Sequence, residues 1–269
     1  MTLKDIDVFC ATCGPGLIGG LLVGSTIAKS MAIANKKPFY PINHLEGHLL
    51  SPLLTNKIDF PYLALLLTGG HTQIYLVKKI GNYILLGETV DDAVGESFDK
   101  VAKLLGLGYP GGPKIEINAS KGKDDSFKLP HPLEFQKSLN FSFSGIKTAV
   151  NLIIKKQKKI NNKLVVDISA SFQKMIIEIL LKRTRIAIEK LKDNGIDIKN
   201  IAVVGGVAAN KKIKSSFKKM CNKKKCNLFF PPIEICGDNA AMIAWACLQQ
   251  YKKKLKPDLY FNANPRWNL

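Results

Sequence analysis

Histidine, arginine and tryptophan are scarce in this chain: its 269 residues contain four histidines, three arginines and two tryptophans. With so little arginine, the net charge of +19 is carried by lysine. Such a surplus is permissive for a polyanionic partner such as nucleic acid, yet beside many Ile and Asn residues it also fits a coding bias. No apolar run is long enough to span a bilayer, which excludes a helical membrane protein. The start, Met1 to Asp7, carries acids and has no charged-then-apolar signal layout, so the cytoplasm is the expected compartment. Cys10-Ala11-Thr12-Cys13 is a C-x-x-C without a second one to complete a zinc site. All six cysteines read as reduced thiols, with redox or metal use at Cys10 and Cys13 as the alternative. The phosphate loop G-x-x-x-x-G-K-[ST] and the dinucleotide pattern G-x-G-x-x-G are both missing, as are internal repeats and low-complexity linkers.

What is present is an alternation of buried strands, glycine turns and helices, which predicts an α/β fold. A strand over 7–12 runs into Gly14-Pro15-Gly16 and an apolar helix from about Leu21 to Asn35. A short strand at 38–42 precedes Asn43, which sits where an N-cap belongs, with Glu46 three residues on as in a capping box. The helix so started is expected to end near Leu54. Residues 62–67, 72–77 and 83–90 predict a meander, with Thr68-Gly69-Gly70-His71 as a tight hairpin. From about 95 to 195 the pattern is mostly helical. Its longest helix, from about Val166 to Leu191, sets Phe172, Met175, Ile176, Ile179 and Leu180 towards a core and ends at Asn194-Gly195. A buried strand over 201–204, a lysine-rich helix, a strand over 227–230 and a helix from about Asp238 to Tyr251 complete the chain.

Two of the four histidines, His44 and His48, are spaced i and i+4, which stacks their rings on one helical face. Two such nitrogens can chelate a metal ion; the plain alternative is one ring packed and the other solvated. Three glycine turns, Gly69-Gly70, Tyr109-Pro110-Gly111-Gly112-Pro113 and Gly205-Gly206, each follow a strand or precede a helix. One is weak evidence; together they suggest a nucleotide pocket. Asp238 opens the last helix, where an aspartate is usually a cap. If folding brought it to His44 and His48, the set would suit Fe(II) or Zn(II) with positions left for substrate. Lysine stretches at 155–163, 211–225 and 252–256 could meet phosphates or simply be solvated helix faces.

At the level of whole motifs the chain resembles the TsaD (Gcp) family of tRNA N6-adenosine threonylcarbamoyltransferases. The resemblance is carried by Gly14-Pro15-Gly16-Leu17, His44-Leu45-Glu46-Gly47-His48 and Thr68-Gly69-Gly70-His71-Thr72-Gln73. It continues through Asp91-Asp92-Ala93-Val94-Gly95-Glu96-Ser97-Phe98-Asp99-Lys100, Tyr109-Pro110-Gly111-Gly112-Pro113 and Phe141-Ser142-Phe143-Ser144-Gly145-Ile146-Lys147-Thr148. Gly205-Gly206-Val207-Ala208-Ala209-Asn210 and Asp238-Asn239-Ala240-Ala241-Met242-Ile243-Ala244 follow, in the family's order and along essentially the whole chain.

The resemblance implies an actin-like, sugar-kinase-like ATPase fold with an RNase H-like core and two subdomains. Residues 1–60 would be the remainder of the first, with the H-x-x-x-H motif, and residues 61–269 the second, with a helical insertion at about 95–195. It implies one divalent metal per subunit, iron(II) or alternatively zinc(II), on His44, His48 and Asp238. It places an adenylate against Leu66, Leu67, Thr68, Gly69, Gly70, Asp99, Gly112 and Asn210, with Asp99 on the nucleotide sugar, and it names no general base. The implied reaction moves the threonylcarbamoyl group from threonylcarbamoyl-AMP to N6 of adenosine 37 in tRNAs reading codons that begin with A. The implied partners are tRNA and TsaB- and TsaE-type proteins.

The chain departs from the family at Thr68, where serine is usual, at Gly108, where aspartate is common, and in lacking the opening strand and Gly-Ile-Glu-Thr-Ser-Cys-like loop. The first subdomain is therefore expected to be incomplete, and this form unstable or poorly active alone. Two other functions are carried forward: a truncated, non-catalytic nucleotide- or tRNA-binding paralogue, and a metalloprotease, although zincins need H-E-x-x-H and Glu46 is displaced from that position.

Overall fold

The computed structural model describes residues 2–134, 136–157 and 159–269; Met1, Phe135 and Lys158, the last within the basic 155–163 stretch, lie outside the described residues. Two sheets organise the chain. The smaller pairs β1 (Phe9–Gly14) in parallel with β2 (Phe39–Asn43), Phe9 opposite Phe39, across the crossover helix α1 (Ile18–Ala34). α2 (His44–Leu50) follows β2 directly, and its last turn tightens into a 3-10 turn over Ser51–Leu54. The helix is shorter than expected because Pro52 has no N–H to give the His48 carbonyl; Ser51 Oγ donates there instead, at 2.8 Å.

The larger sheet begins with the predicted meander, β3 (Tyr62–Leu67), β4 (Thr72–Lys79) and β5 (Asn82–Glu88). β6 (Asn200–Val204) joins the other side of β3 in parallel, and β7 (Asn227–Phe229) forms the edge beyond it, giving the order β5-β4-β3-β6-β7. β3 is buried along its whole length. Leu63, Leu65 and Leu67 enter one core, and Tyr62, Ala64 and Leu66 enter another on the opposite face. The period of two therefore makes β3 a partition between two apolar layers, each buried leucine contributing about 2 kcal/mol.

The first of those layers is covered by α3 (Val94–Leu104), α4 (Gly111–Ala119), α5 (Ser144–Lys155), α6 (Asn162–Asp193) and α7 (Lys211–Lys224). α6 presents Phe172, Ile176, Ile179 and Leu180 to the core, with Met175 half-buried at its margin. It starts four residues before Val166 because Asn161 Oδ1 accepts from Leu164 N at 2.8 Å, and it ends at Asn194 before Gly195 in the left-handed region, φ +78°. Arg183 of α6 is fully buried, and its guanidinium donates to the carbonyls of Leu133, Gln136 and Ser138. α8 (Ala240–Lys252) returns to the small sheet, where Met242, Ile243 and Cys247 pack with Tyr40, Ile42 and Leu50. Leu259, Phe261 and Trp267 pack with Phe9 and Phe39. Both ends of the chain thus share one layer, although the boundary at residue 60 assigns α8 to the second subdomain.

Candidate metal centre and nucleotide cleft

The histidine spacing on α2 does what its periodicity predicts. Asn43 caps the helix, its Oδ1 accepting from Leu45 N at 2.8 Å, and the two rings lie edge to face with centroids 4.8 Å apart. Both present Nε2 to one oxygen of Asp238: His48 at 3.0 Å and His44 at 3.3 Å. The hydrogen bonds from His44 and His48 hold the Asp238 carboxyl far below the usual carboxylate range, and burial pushes the His48 pKa down. One ligand atom from each residue lies within 4.8 Å of the others. Donors bound at about 2.1 Å around a tetrahedral ion stand about 3.4 Å apart, so this set fits a divalent transition metal.

Asp238 is available because it is not the cap. Asn239 caps α8 instead, with Oδ1 accepting from Met242 N at 2.8 Å, while its Nδ2 donates to the carbonyls of Gly237 and Ile235. Gly47, between the histidines, lets α8 approach: a Cβ there would lie 2.8 Å from Ile243 Cδ1 and 3.3 Å from Met242 Cγ. The expected capping box does not form. Glu46 turns away from the helix start and from the histidines, accepting from Tyr83 Oη and from Gln250 Nε2, each at 2.7 Å. Burial raises its pKa. A metalloprotease would need that carboxylate on metal-bound water, so the geometry removes that reading's base. Beside the centre runs a groove of about 460 Å³ lined by Cys10, Ala11 and Thr12 of β1 together with His44 and Asp238.

The glycine turns meet in a second cavity, of about 300 Å³. Gly69, Asp99, Gly112 and Asn210 line it, as the resemblance implies. Leu66 and Leu67 do not, because both side chains are in the cores, and Thr68 and Gly70 lie outside the lining. Thr68 Oγ1 instead folds the turn by accepting from His71 N at 2.9 Å. Asp99 Oδ1 accepts from Gly111 N at 2.7 Å and so takes the place of a cap at the start of α4, where Pro110 offers none; Pro113 has no N–H, which leaves the Gly112 amide for an anion. Asn210 caps α7 through Ile213 N at 2.9 Å and donates to Gln173 at 2.8 Å, so its side chain shapes the wall from within the fold.

Two glycines allow the walls to close. Gly205 has φ +93°, and a Cβ there would lie 2.4 Å from the Leu67 carbonyl oxygen; one on Gly95 would lie 2.7 Å from that of Thr68. Tyr109 comes with the predicted glycine turn, whereas the sequence by itself gives no role to the lining residues Gly95, Phe98, Glu116, Val207 and Ala209. Only Gly95, at the start of a predicted helix, carried a local signal. His71, at the end of the 68–71 turn, has no role that the sequence signals. Burial lowers its pKa, and the nearby His44 and His48 lower it further. The 68–71 turn borders the cleft at Gly69, and its last residue, His71, lies in the electrostatic field of the two histidines.

The two-sheet α/β body, with glycine turns and helix starts meeting in a cleft, has the actin-like ATPase fold. Two solved structures support that fold. The T.kodakarensis HypF crystal structure matches with a TM-score of 0.62 and 17% identity over 93% of this chain and 41% of that one. Full-length HypF in the phosphate- and nucleotide-bound form matches with a TM-score of 0.68 and 13% identity over 96% and 40%. The chain thus spans about two fifths of those structures, and at such identities the likeness concerns the fold alone.

Sequence relatives are more specific. The model of the family TsaD, tRNA N6-adenosine threonylcarbamoyltransferase, matches residues 1–245. The enzyme of that name from Pelagibacter ubique is 49% identical over 99% of this chain and 74% of its own length. Its counterpart from Rickettsia rickettsii (strain Sheila Smith) is 49% identical over 99% and 78%, and that from Methylocapsa acidiphila 45% over 99% and 76%. The chain belongs to the TsaD family.

Proposed function

We propose that the protein transfers the threonylcarbamoyl group from threonylcarbamoyl-AMP to N6 of adenosine 37 in tRNAs reading codons that begin with A, releasing AMP. The observation carrying this reading is the convergence of His44, His48 and Asp238 on one another, in a chain of this family that also holds an adenylate-sized cleft lined by Gly69, Asp99, Gly112 and Asn210. The donor is a mixed anhydride and already activated, so binding, orientation and exclusion of water are the main tasks.

The AMP part occupies the cleft. Asp99 holds the ribose, Gly112 lies at the start of α4, and the Gly69 amide steadies the phosphate as its bond to the carbonyl carbon breaks, while the Gly70 amide is engaged with Thr68 Oγ1 within the turn. Leu66 and Leu67 contribute main chain only, Thr68 shapes the turn, and Asn210 supports the far wall. The N6 amine of an unstacked loop adenosine forms the new C–N bond. His44, His48 and Asp238 would hold one divalent ion, iron(II) or alternatively zinc(II), which when bound polarises the threonylcarbamoyl carbonyl.

TsaB- and TsaE-type proteins are the proposed partners. α1 supports a protein partner by leaving Leu22, Val23, Ile27 and Ile33 exposed, continuing the face of Leu17 just before it, 90% exposed, with Lys29 as the one charge of the helix. No described helix is long and apolar enough to cross a membrane, and a tRNA acceptor fits the cytoplasm. The test is transfer of the threonylcarbamoyl group to tRNA by the protein with its partner proteins, read by nucleoside mass spectrometry. His44→Ala and Asp238→Ala should abolish the product while tRNA binding persists. Undiminished threonylcarbamoyladenosine in both variants would overturn the reading, and adenylate binding without any transfer by the unaltered protein would favour a non-catalytic paralogue.

A further inference from the structure

α7 leaves the nucleotide cleft at Asn210, and its first residue begins a lysine row. Lys211, Lys214 and Lys218 fall on one helical face and line a groove of about 740 Å³. The opposite wall is the edge strand β7 with Phe229 and Phe230, and among the described residues no carboxylate lines the groove. None of the three lysines is ion-paired among the described residues, whereas Lys224 at the far end of α7 is paired with Glu189 at 2.9 Å. Lys214 Nζ stands 5.3 Å over the Phe230 ring, so an aromatic face is held against the basic wall. Glu116 Oε1 accepts from Lys211 N at 2.6 Å at the cleft end of the row; along the rest of it, lysines without an ion-pair partner among the described residues stand beside an apolar wall and focus positive potential into the groove. From Lys211 to Lys218 the helix rises about 10 Å, comparable to about three phosphates of one stacked strand at about 3.4 Å each. Beyond Phe230 the chain runs through the short turn at Ile233–Ile235 to Asp238, so the groove leads along the backbone to the histidine centre.

From these observations we infer that the α7–β7 groove is a docking surface for the tRNA backbone, seating phosphates while the target adenosine reaches the centre at His44, His48 and Asp238. This inference rests on the proposed function for the identity of the RNA. The test compares the full chain with K211Q/K214Q/K218Q, and with K36Q/K57Q/K79Q as a control that removes equal charge elsewhere. Fluorescence anisotropy with unmodified tRNA is recorded across a potassium chloride series. The groove variant should lose about two to three units from the slope of log K against log salt, and its KM for tRNA should rise about tenfold or more with kcat and adenylate affinity unchanged. The control should behave as the unaltered protein. Should the triple variant fail to fold, K218E, at an exposed position, should lower the slope by about one unit.

An unchanged slope and affinity in the groove variant, or an equal loss in the control, overturns the inference. So does displacement of tRNA by poly-glutamate at equal charge, which would assign the groove to an acidic protein. Lysine-dependent tRNA binding by a protein that transfers no threonylcarbamoyl group would uphold the groove and sink the proposed function separately.

Discussion

Asn239 couples the stability of α8 to the position of Asp238, and replacing it by alanine should damage both. The side chain makes one capping bond to Met242 N and donates two bonds to the carbonyls of Gly237 and Ile235, which precede Asp238. Loss of the cap costs about 1 kcal/mol. The two bonds to partly solvated carbonyls add about 0.5 kcal/mol each, for a total of about 2 kcal/mol. In a chain of this size that lowers the thermal midpoint by about 4 °C. The freed turn also lets Asp238 swing from the histidines, and supporting residues of this kind are worth about 10- to 100-fold in metal affinity. Asn239→Ser separates the two effects. Serine restores the cap, so stability should return to within about 0.5 kcal/mol, while the lost donors leave affinity for added Zn(II) below that of the unaltered protein. Urea unfolding and zinc titration calorimetry read the two quantities. An alanine variant that keeps both its midpoint and its zinc affinity would refute the coupling, and full recovery of zinc binding by serine would show that the Gly237 and Ile235 bonds have no part in it.

Glu46 has a raised pKa from burial, so its ionisation costs stability as pH climbs above the unfolded value of about 4.5, and that cost is absent below it. Glu46→Gln should therefore be more stable than the parent at pH 8, with the gap closing towards pH 4 in urea melts; a gap that widens with acid would contradict the assignment. Leu65→Ala removes a side chain from the fully buried β3 and should cost about 2–5 kcal/mol of unfolding free energy by the same assay. Asp99→Ala frees Gly111 N and removes the proposed ribose ligand, so affinity for a non-hydrolysable threonylcarbamoyl adenylate should fall at least tenfold in calorimetry. Arg183→Met leaves three carbonyls without their buried donor and should cost about 3 kcal/mol or more, visible as early proteolysis around 133–138.

Local signals located most of the fold. The 62–67 strand was legible because an unbroken apolar run ended at Thr68-Gly69-Gly70, where only a turn fits, and α6 because its apolar residues recur at helical spacing over many turns. Boundaries moved where one side chain outbid propensity: Asn161 extended α6 backwards, and Asn239 took the cap that Asp238 would fill on statistics alone. The histidine pair was visible in spacing, but its union with Asp238 was not, since that depends on α8 crossing the small sheet to reach α2. The cleft was legible at its glycines and the Tyr109–Pro113 turn, and opaque at Phe98 and Glu116, which reach it through the packing of α3 and α4 rather than through neighbouring residues.

One consequence lies in the span of that union. His48 and Asp238 stand 190 positions apart, so an ion seated between them would act as a clasp, joining the opening and closing stretches of the polypeptide. Ligand binding to the folded form alone adds RT ln(1 + [L]/Kd) to its stability. Metal starvation would then loosen the protein as well as silence it. The position that sets how tightly the clasp can shut is Gly47, a residue with nothing to offer an ion.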